Sequence, residues 1–369
     1  MSVSARFNRR GATLPLTILL LALMGVAVAI TYGRVASERR ITGDSRAQLG
    51  AFAVAQSGLN RFMSTINAKP TGPYPVTTVY TDLPNGTAQV DLRMLRESTI
   101  TLLPALYVIT SRGRYTAAKR YDAMAPSSER SVATYALWVP TPFDLNGAFT
   151  SLSQVEINGN SFTVSGADRS TASATCPGPQ AAIPGLAVPN GDISQIDFPA
   201  NINGNPDNIA ANLGTPNAGG TAKDEVKMDW AAILDGTAFP ADYVHPTWPT
   251  ATQFNNWPVT RVNGDLTMPT SGKGILVVTG NMTWNGTPLK TWEGLILVGG
   301  TITSNGDANI YGALVTGLNL KVGTAVGLSD IGNGNKTYQY DSCALARALG
   351  HIGSIQRVRN GWSDNWSSY

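Results

Sequence analysis

The chain has 369 residues, enough for two ordinary domains, with 14% charged residues, 38 glycines and a formal net charge of +3. So little charge does not suit the charged helical surfaces of cytosolic enzymes, and the dispersed excess leaves no basic footprint for nucleic acid. The two His and two Cys lie far apart and cannot by themselves complete a His/Cys zinc site.

Residues 11–33 form an uncharged run of 23 residues. A helix rises about 1.5 Å per residue and a bilayer core needs roughly 20 apolar residues, so the run is long enough to span. Pro15 falls in what would be the first turn, where a missing N–H costs little. Arg6, Arg9 and Arg10 ahead of the run, with Ala27-Val28-Ala29 inside it, also fit a cleaved secretory leader. Two features oppose cleavage there. The run exceeds a normal leader core of about 7–15 residues. Helical spacing also continues beyond it, through Leu49, Phe52, Ala53, Gln56, Leu59, Phe62, Met63 and Ile66, with no Pro between Pro15 and Pro70. One helix from about Thr13 to Ile66, roughly 80 Å long, is the expectation. Arg34, Arg39, Arg40 and Arg46 follow the span, so charge alone does not orient a simple anchor.

The stretch RRGATLPLTILLLALMGVAVA, followed by ERRITGDSRAQLGAFAVAQSGLNRF, resembles the N-terminal region of PilX-type pilus assembly proteins. The matching parts are the basic leader ending in Gly11, the apolar helix, Glu38-Arg39, Gly43-Asp44-Ser45-Arg46 and Ala51-Phe52-Ala53-Val54-Ala55-Gln56-Ser57-Gly58. Residues 5–63 carry the likeness. It implies cutting by a prepilin peptidase between Gly11 and Ala12, insertion in the inner membrane, and packing against other pilin subunits through the helix. Major subunits of such filaments carry Glu at the fifth mature position; Leu16 stands there, and Gln56 stands where the family has Glu. A charge that would pair with a neighbouring amine in an apolar filament core is thus missing, and a buried unpaired charge is costly. The resemblance therefore implies a minor or tip subunit.

Beyond Lys69, KPTGPYPVT breaks the helix. Strands are expected at TTVYTDL, TAQVDLRML, ALYVITSRGRY and RSVATYALWVP, packed near the helix over 67–140. A β-rich body should fill 141–340. Residues 166–258 read mostly as loops, with a short helix in KDEVKMDWAAILDG and a Pro/Trp-rich segment holding Trp248 and Trp257. Those Trp residues suit either sugar stacking or the closure of a small core, and the second is favoured.

Residues 259–322 repeat. Aligning Gly264, Gly280, Gly300 and Gly317 gives steps of 16, 20 and 17 residues, each with an apolar run, a Gly, then an alternating strand. The pattern suggests stacked coils of a short β-solenoid, with a sandwich of hairpins as the rival. The strand 158–164 reads like another coil. Leu276, Val278, Leu295, Leu297, Ile302, Ile310, Leu314 and Leu318 are expected inside, with Ile296 and Val298 facing out or meeting the cap. Residues 341–369 should cap the open end, beginning with a helix N-capped at Asp341 or Ser342 and stopped at Gly350. Cys176 and Cys343 are candidates for one disulfide if the body is exported; two buried thiols are the alternative.

No phosphate loop or nucleophile elbow occurs. Asp265 and Asp307 are isolated acids beside Gly, better read as turn residues than as Ca²⁺ ligands. His245 and His351 lack a nearby acid in sequence. The expected fold is α+β: a leader over 1–11, a helix over 12–66 with its span at 12–33, then the β-rich body. The expected role is structural, as a minor-pilin-like subunit of a type IV pilus or secretion pseudopilus with its body periplasmic or at the cell surface. No enzyme activity and no cofactor, metal or nucleic acid is expected. The rival is a membrane-anchored β-helix protein acting on or binding polysaccharide. Acting on polysaccharide would require clustered carboxylates, and the repeat holds only Asp265, Glu293 and Asp307.

Overall fold

A computed structural model of the chain describes residues 13–66, 69–70, 72–97, 104–116, 127–141, 143–157, 161–173, 176, 178–189, 201–211, 213, 226–286 and 289–364. It is a long N-terminal helix followed by a β-rich body. Helix α1 runs unbroken over Thr13–Thr65. Its second half has one buried face, formed by Ala47, Ala51, Val54, Ala55, Leu59 and Phe62 at three- and four-residue spacing.

That face lies on an antiparallel sheet. Strands β1 (Val76–Leu83), β2 (Gly86–Arg96), β3 (Leu106–Thr116) and β4 (Ser127–Pro140) form a meander, as their alternation predicts. Ala88, Val90 and Leu92 on β2 and Tyr107 and Ile109 on β3 point to the helix. Small residues let the backbones approach. A Cβ on Gly58 would lie 2.5 Å from Ala88 Cβ, and one on Gly113 would overlap the Ala55 N–H and the Ala51 carbonyl. The sheet's fifth strand is the C-terminal segment Gly353–Asp364, antiparallel to β4.

The repeat builds parallel sheets. Four successive units each place one strand in a long sheet and the next in a short sheet. The long-sheet strands are Val259–Val262, Gly272–Val278, Lys290–Val298 and Ala308–Thr316, and the short-sheet strands are Leu266–Thr267, Met282–Asn285, Ile302–Asn305 and Ser329–Asn333. All neighbours pair in parallel, with Ile275 beside Leu295 and Met282 beside Ile302. The four aligned glycines sit one above another: Gly280 donates to Gly264, Gly300 to Gly280 and Gly317 to Gly300, each at 2.9 Å. A second glycine column, Gly274, Gly294 and Gly312, turns each long strand at φ of 112°, 122° and 136°, a region that side chains avoid. Phe149–Ser151, Lys336–Gln339 and Phe162–Ser165 extend the long sheet, so part of the 158–164 stretch does join it. The two sheets stay separate and open; hydrogen bonds do not close them into a coil.

The interior between the sheets holds Leu276, Val278, Ile296, Val298, Ile302, Ile310 and Leu314 with Trp284 and Trp292. Leu295, Leu297 and Leu318, expected inside, lie instead in a second core on the outer face. There they meet helix α2 (Trp230–Asp235) and helix α3 (Ser342–Leu349). The predicted facing of the Leu295–Val298 strand is therefore inverted, and both faces are covered: Ile296 is 0% and Leu297 1% exposed.

The 341–369 segment also differs from expectation. Asp341 N-caps α3, accepting from Ala344 N at 2.9 Å, and the helix stops at Leu349 with Gly350 as its C-cap. The helix lies on the flank of the long sheet, not across its end, and the chain then returns to the antiparallel sheet. The reason is the outer row of Ile275, Val277, Leu295 and Leu297, an apolar surface that needs a cover.

Candidate functional site: the bare half of the N-terminal helix

From Leu14 to Val35 every large apolar side chain of α1 is exposed; Leu21 is 67% and Tyr32 76% open. None of the most apolar stretch is buried, and α1 is long and apolar enough to cross a membrane by length and composition. Two threonine hydroxyls in this half are satisfied within the helix. Thr17 donates to Leu14 O at 2.8 Å and Thr31 to Ala27 O at 2.7 Å. Such back-bonding hides hydroxyls from an apolar surrounding. Leu16 is open and uncharged.

An exposed neck follows, with Arg34, Arg39, Arg40 and Arg46 interleaved with Glu38 and Asp44, before the helix meets the sheet near Ala47. One rigid element thus carries a bare apolar rod, a charged collar and a buried docking face. So large an apolar surface is not stable in water; it needs lipid or other apolar helices.

Gly11 and Ala12, the expected processing residues, lie outside the described residues. Cys176 and Cys343 are joined in a disulfide, with Cα atoms 5.7 Å apart across 167 residues of chain. Asp168 organises its surroundings by accepting from Ser170 N (3.0 Å), Gln180 N (2.6 Å) and Ser342 N (3.0 Å). Burial pushes the Asp168 carboxyl up, but the hydrogen bonds from Gln180, Ser342 and Ser170 outweigh it and hold it below the usual carboxylate range.

His351 finds an acid that sequence proximity hid: its Nε2 lies 2.9 Å from Asp242 Oδ2. Asp242 also accepts from Val259 N at 2.8 Å. Burial raises the Asp242 carboxyl, and the contacts with His351 and Val259 bring it below its ordinary value. Asp265 and Asp307 accept the N–H groups of Asn281 (2.7 Å) and Asn335 (3.1 Å), locking turns between units. Trp248 packs edge-on against Phe254 and Trp292, closing a core as the favoured reading has it.

Sequence reasoning missed Lys336, which is buried with Nζ on Ser304 O (2.6 Å) and Ile331 O (3.0 Å). Burial pushes its ammonium down to about 8, against the opposing pull of Asp330 and Asp307. Its place in an alternating polar strand gave no warning, because its burial comes from chain segments remote in sequence. Among the described residues, no group of three or more His, Cys, Asp or Glu is placed to hold a metal ion.

No protein-family model matches the chain, and no curated protein matches it. Among solved structures it is similar to the competence-associated pilin ComZ from Thermus thermophilus. That match has 10% identity and a TM-score of 0.21, and covers 87% of this chain and 98% of that one. At that TM-score the likeness establishes neither a shared fold nor a shared function.

Proposed function

We propose that this protein is a minor-pilin-like subunit of a type IV pilus or a related secretion pseudopilus. The observation that carries the reading is α1 itself, bare and apolar over Leu14–Val35 and continuous with a half docked on an antiparallel sheet. The PilX-type likeness of residues 5–63 supports the same reading. In it, prepilin peptidase cuts after Gly11, the helix holds the protein in the inner membrane, and residues 12 to about 40 then pack laterally with the helices of other subunits. The absence of a charge at Leu16 favours a place at a tip or start of the filament over the repeating shaft. The units of 259–322 are read as coils of a short β-solenoid whose two parallel sheets are not joined by hydrogen bonds, a reading supported by the glycine columns and the parallel register.

A photo-crosslinker placed at Leu21 tests the assembly role in cells making the filament. Crosslinks to the apolar helix of another subunit are expected. Crosslinks to lipid alone, under conditions where filaments form, would contradict it. Gly11→Glu should block cutting while leaving membrane insertion intact.

A further inference from the structure

The neck of α1 carries cations of one kind. Arg34, Arg39, Arg40 and Arg46 are all exposed, and no lysine precedes Lys69. A guanidinium matches the paired oxygens of a phosphate, which an ammonium meets only as a point charge. Glu38 and Asp44 follow Arg34 and Arg40 by four residues, the weaker order for an ion pair on a helix. Among the described residues, no ion pair holds any of these four arginines.

Helix geometry sets the height of each arginine. The uncharged rod over residues 14–33 is about 30 Å long by its rise, the thickness of a hydrocarbon core. Tyr32, 76% exposed near its end, is an amphipathic ring of the kind that suits a membrane–water boundary. The headgroup layer beyond the core is roughly 5–8 Å deep. Arg34 enters it directly. Arg39 and Arg40 lie about 7–9 Å further along the axis and can reach back on their long stems. Arg46 lies about 18 Å beyond Arg34, above the layer.

Direction around the axis separates two kinds of partner. At about 100° per residue, Arg34, Arg39 and Arg40 point roughly 0°, 140° and 240° around the helix. A docked protein helix needs its contacts on one side, whereas cations on all sides fit a fluid layer that surrounds the helix. Glu38 stands on the Arg34 side, about 40° away, and Asp44 lies a full turn above Arg40. We propose that Arg34, Arg39 and Arg40 form a collar that binds the phosphates of anionic phospholipids around the end of the rod. This rests on the membrane insertion of α1 described under the proposed function.

The test uses the full chain in phosphatidylcholine vesicles holding trace spin-labelled phosphatidylglycerol or spin-labelled phosphatidylcholine. Electron paramagnetic resonance reads how much of each label associates with the protein. The parent should prefer phosphatidylglycerol at least about fivefold, and high salt should weaken the preference. The triple variant Arg34→Gln/Arg39→Gln/Arg40→Gln should lower it at least about threefold. Arg46→Gln, which removes a cation above the layer, should leave it unchanged. Arg6, Arg9 and Arg10 at the opposite end of the rod are common to every variant, so the difference reads the collar alone. An unchanged preference in the triple variant would overturn the proposal, and so would a comparable loss in Arg46→Gln. Flotation with the vesicles separates the two possible failures. A parent that does not float refutes membrane insertion itself; one that floats without preferring phosphatidylglycerol refutes only the collar.

Discussion

At the scale of single residues, the strand Lys290–Val298 shows what an alternating pattern hides. The run Gly294-Leu-Ile-Leu-Val is apolar at every position, which is the mark of a parallel strand buried on both faces. Ile296 faces Trp284 and Trp292 between the sheets, while Leu297 faces α3. Ile296→Asp and Leu297→Asp should therefore destabilise alike, each by about 3 kcal/mol or more, since each buries an unpaired carboxylate. Parallel melts of the two variants in the full chain check this; a mild effect at Ile296 alone would restore a strand with one solvent face.

Asp168 makes a pH-dependent contribution whose sign follows from its lowered pKa. The contribution is complete above the ordinary carboxylate value of about 4 and is lost as pH falls through the lowered one. Asp168→Asn should lower the melting temperature at pH 7, and the gap to the parent should close as the pH falls through that lowered value. A gap that persists unchanged in acid would show that Asp168 acts by shape and not by charge. No sequence signal marked Asp168, because its partners Gln180 and Ser342 are brought to it only by the fold.

At the scale of elements, α1 and strands β1–β4 were legible because each carries its own period: three and four residues on the helix face, two on the strands. The repeat was legible through its glycines, since Gly264, Gly280, Gly300 and Gly317 must stack for the units to turn alike. Helix α3 was readable as a helix, from Asp341 onward, but its berth was not. Its partners are Leu295, Leu297, Ala313 and Val315, and nothing near α3 in sequence names them. Helix–sheet docking rests on close approach at Gly113. Gly113→Ala should force α1 away from β3 and cost about 1–3 kcal/mol, the usual penalty of overpacking. Amide exchange across Ala47–Phe62 should rise in that variant while the 259–333 units keep their protection. Unchanged exchange on α1 would mean the helix is held mainly by other contacts.

At the scale of the whole molecule, the C-terminal segment joins the two parts. Lys69 N donates to His351 O at 3.0 Å, Trp138 Nε1 to Gly350 O at 2.9 Å, and Thr141 N to Ile352 O at 3.2 Å. The segment expected to cap one end thus runs from the flank of the parallel sheets to the edge of the antiparallel one, and links the body to the helix that carries it. The apolar rod stands clear of both, with charge-free residues 14–33 ahead of the Arg34 collar. The central claim is that this rod is kept in the mature protein as a working part. N-terminal sequencing of the protein recovered from cells tests it most directly. The account predicts a chain beginning at Ala12; a chain beginning at Ile30, after Ala27-Val28-Ala29, would mean that the rod is a discarded leader and would contradict it.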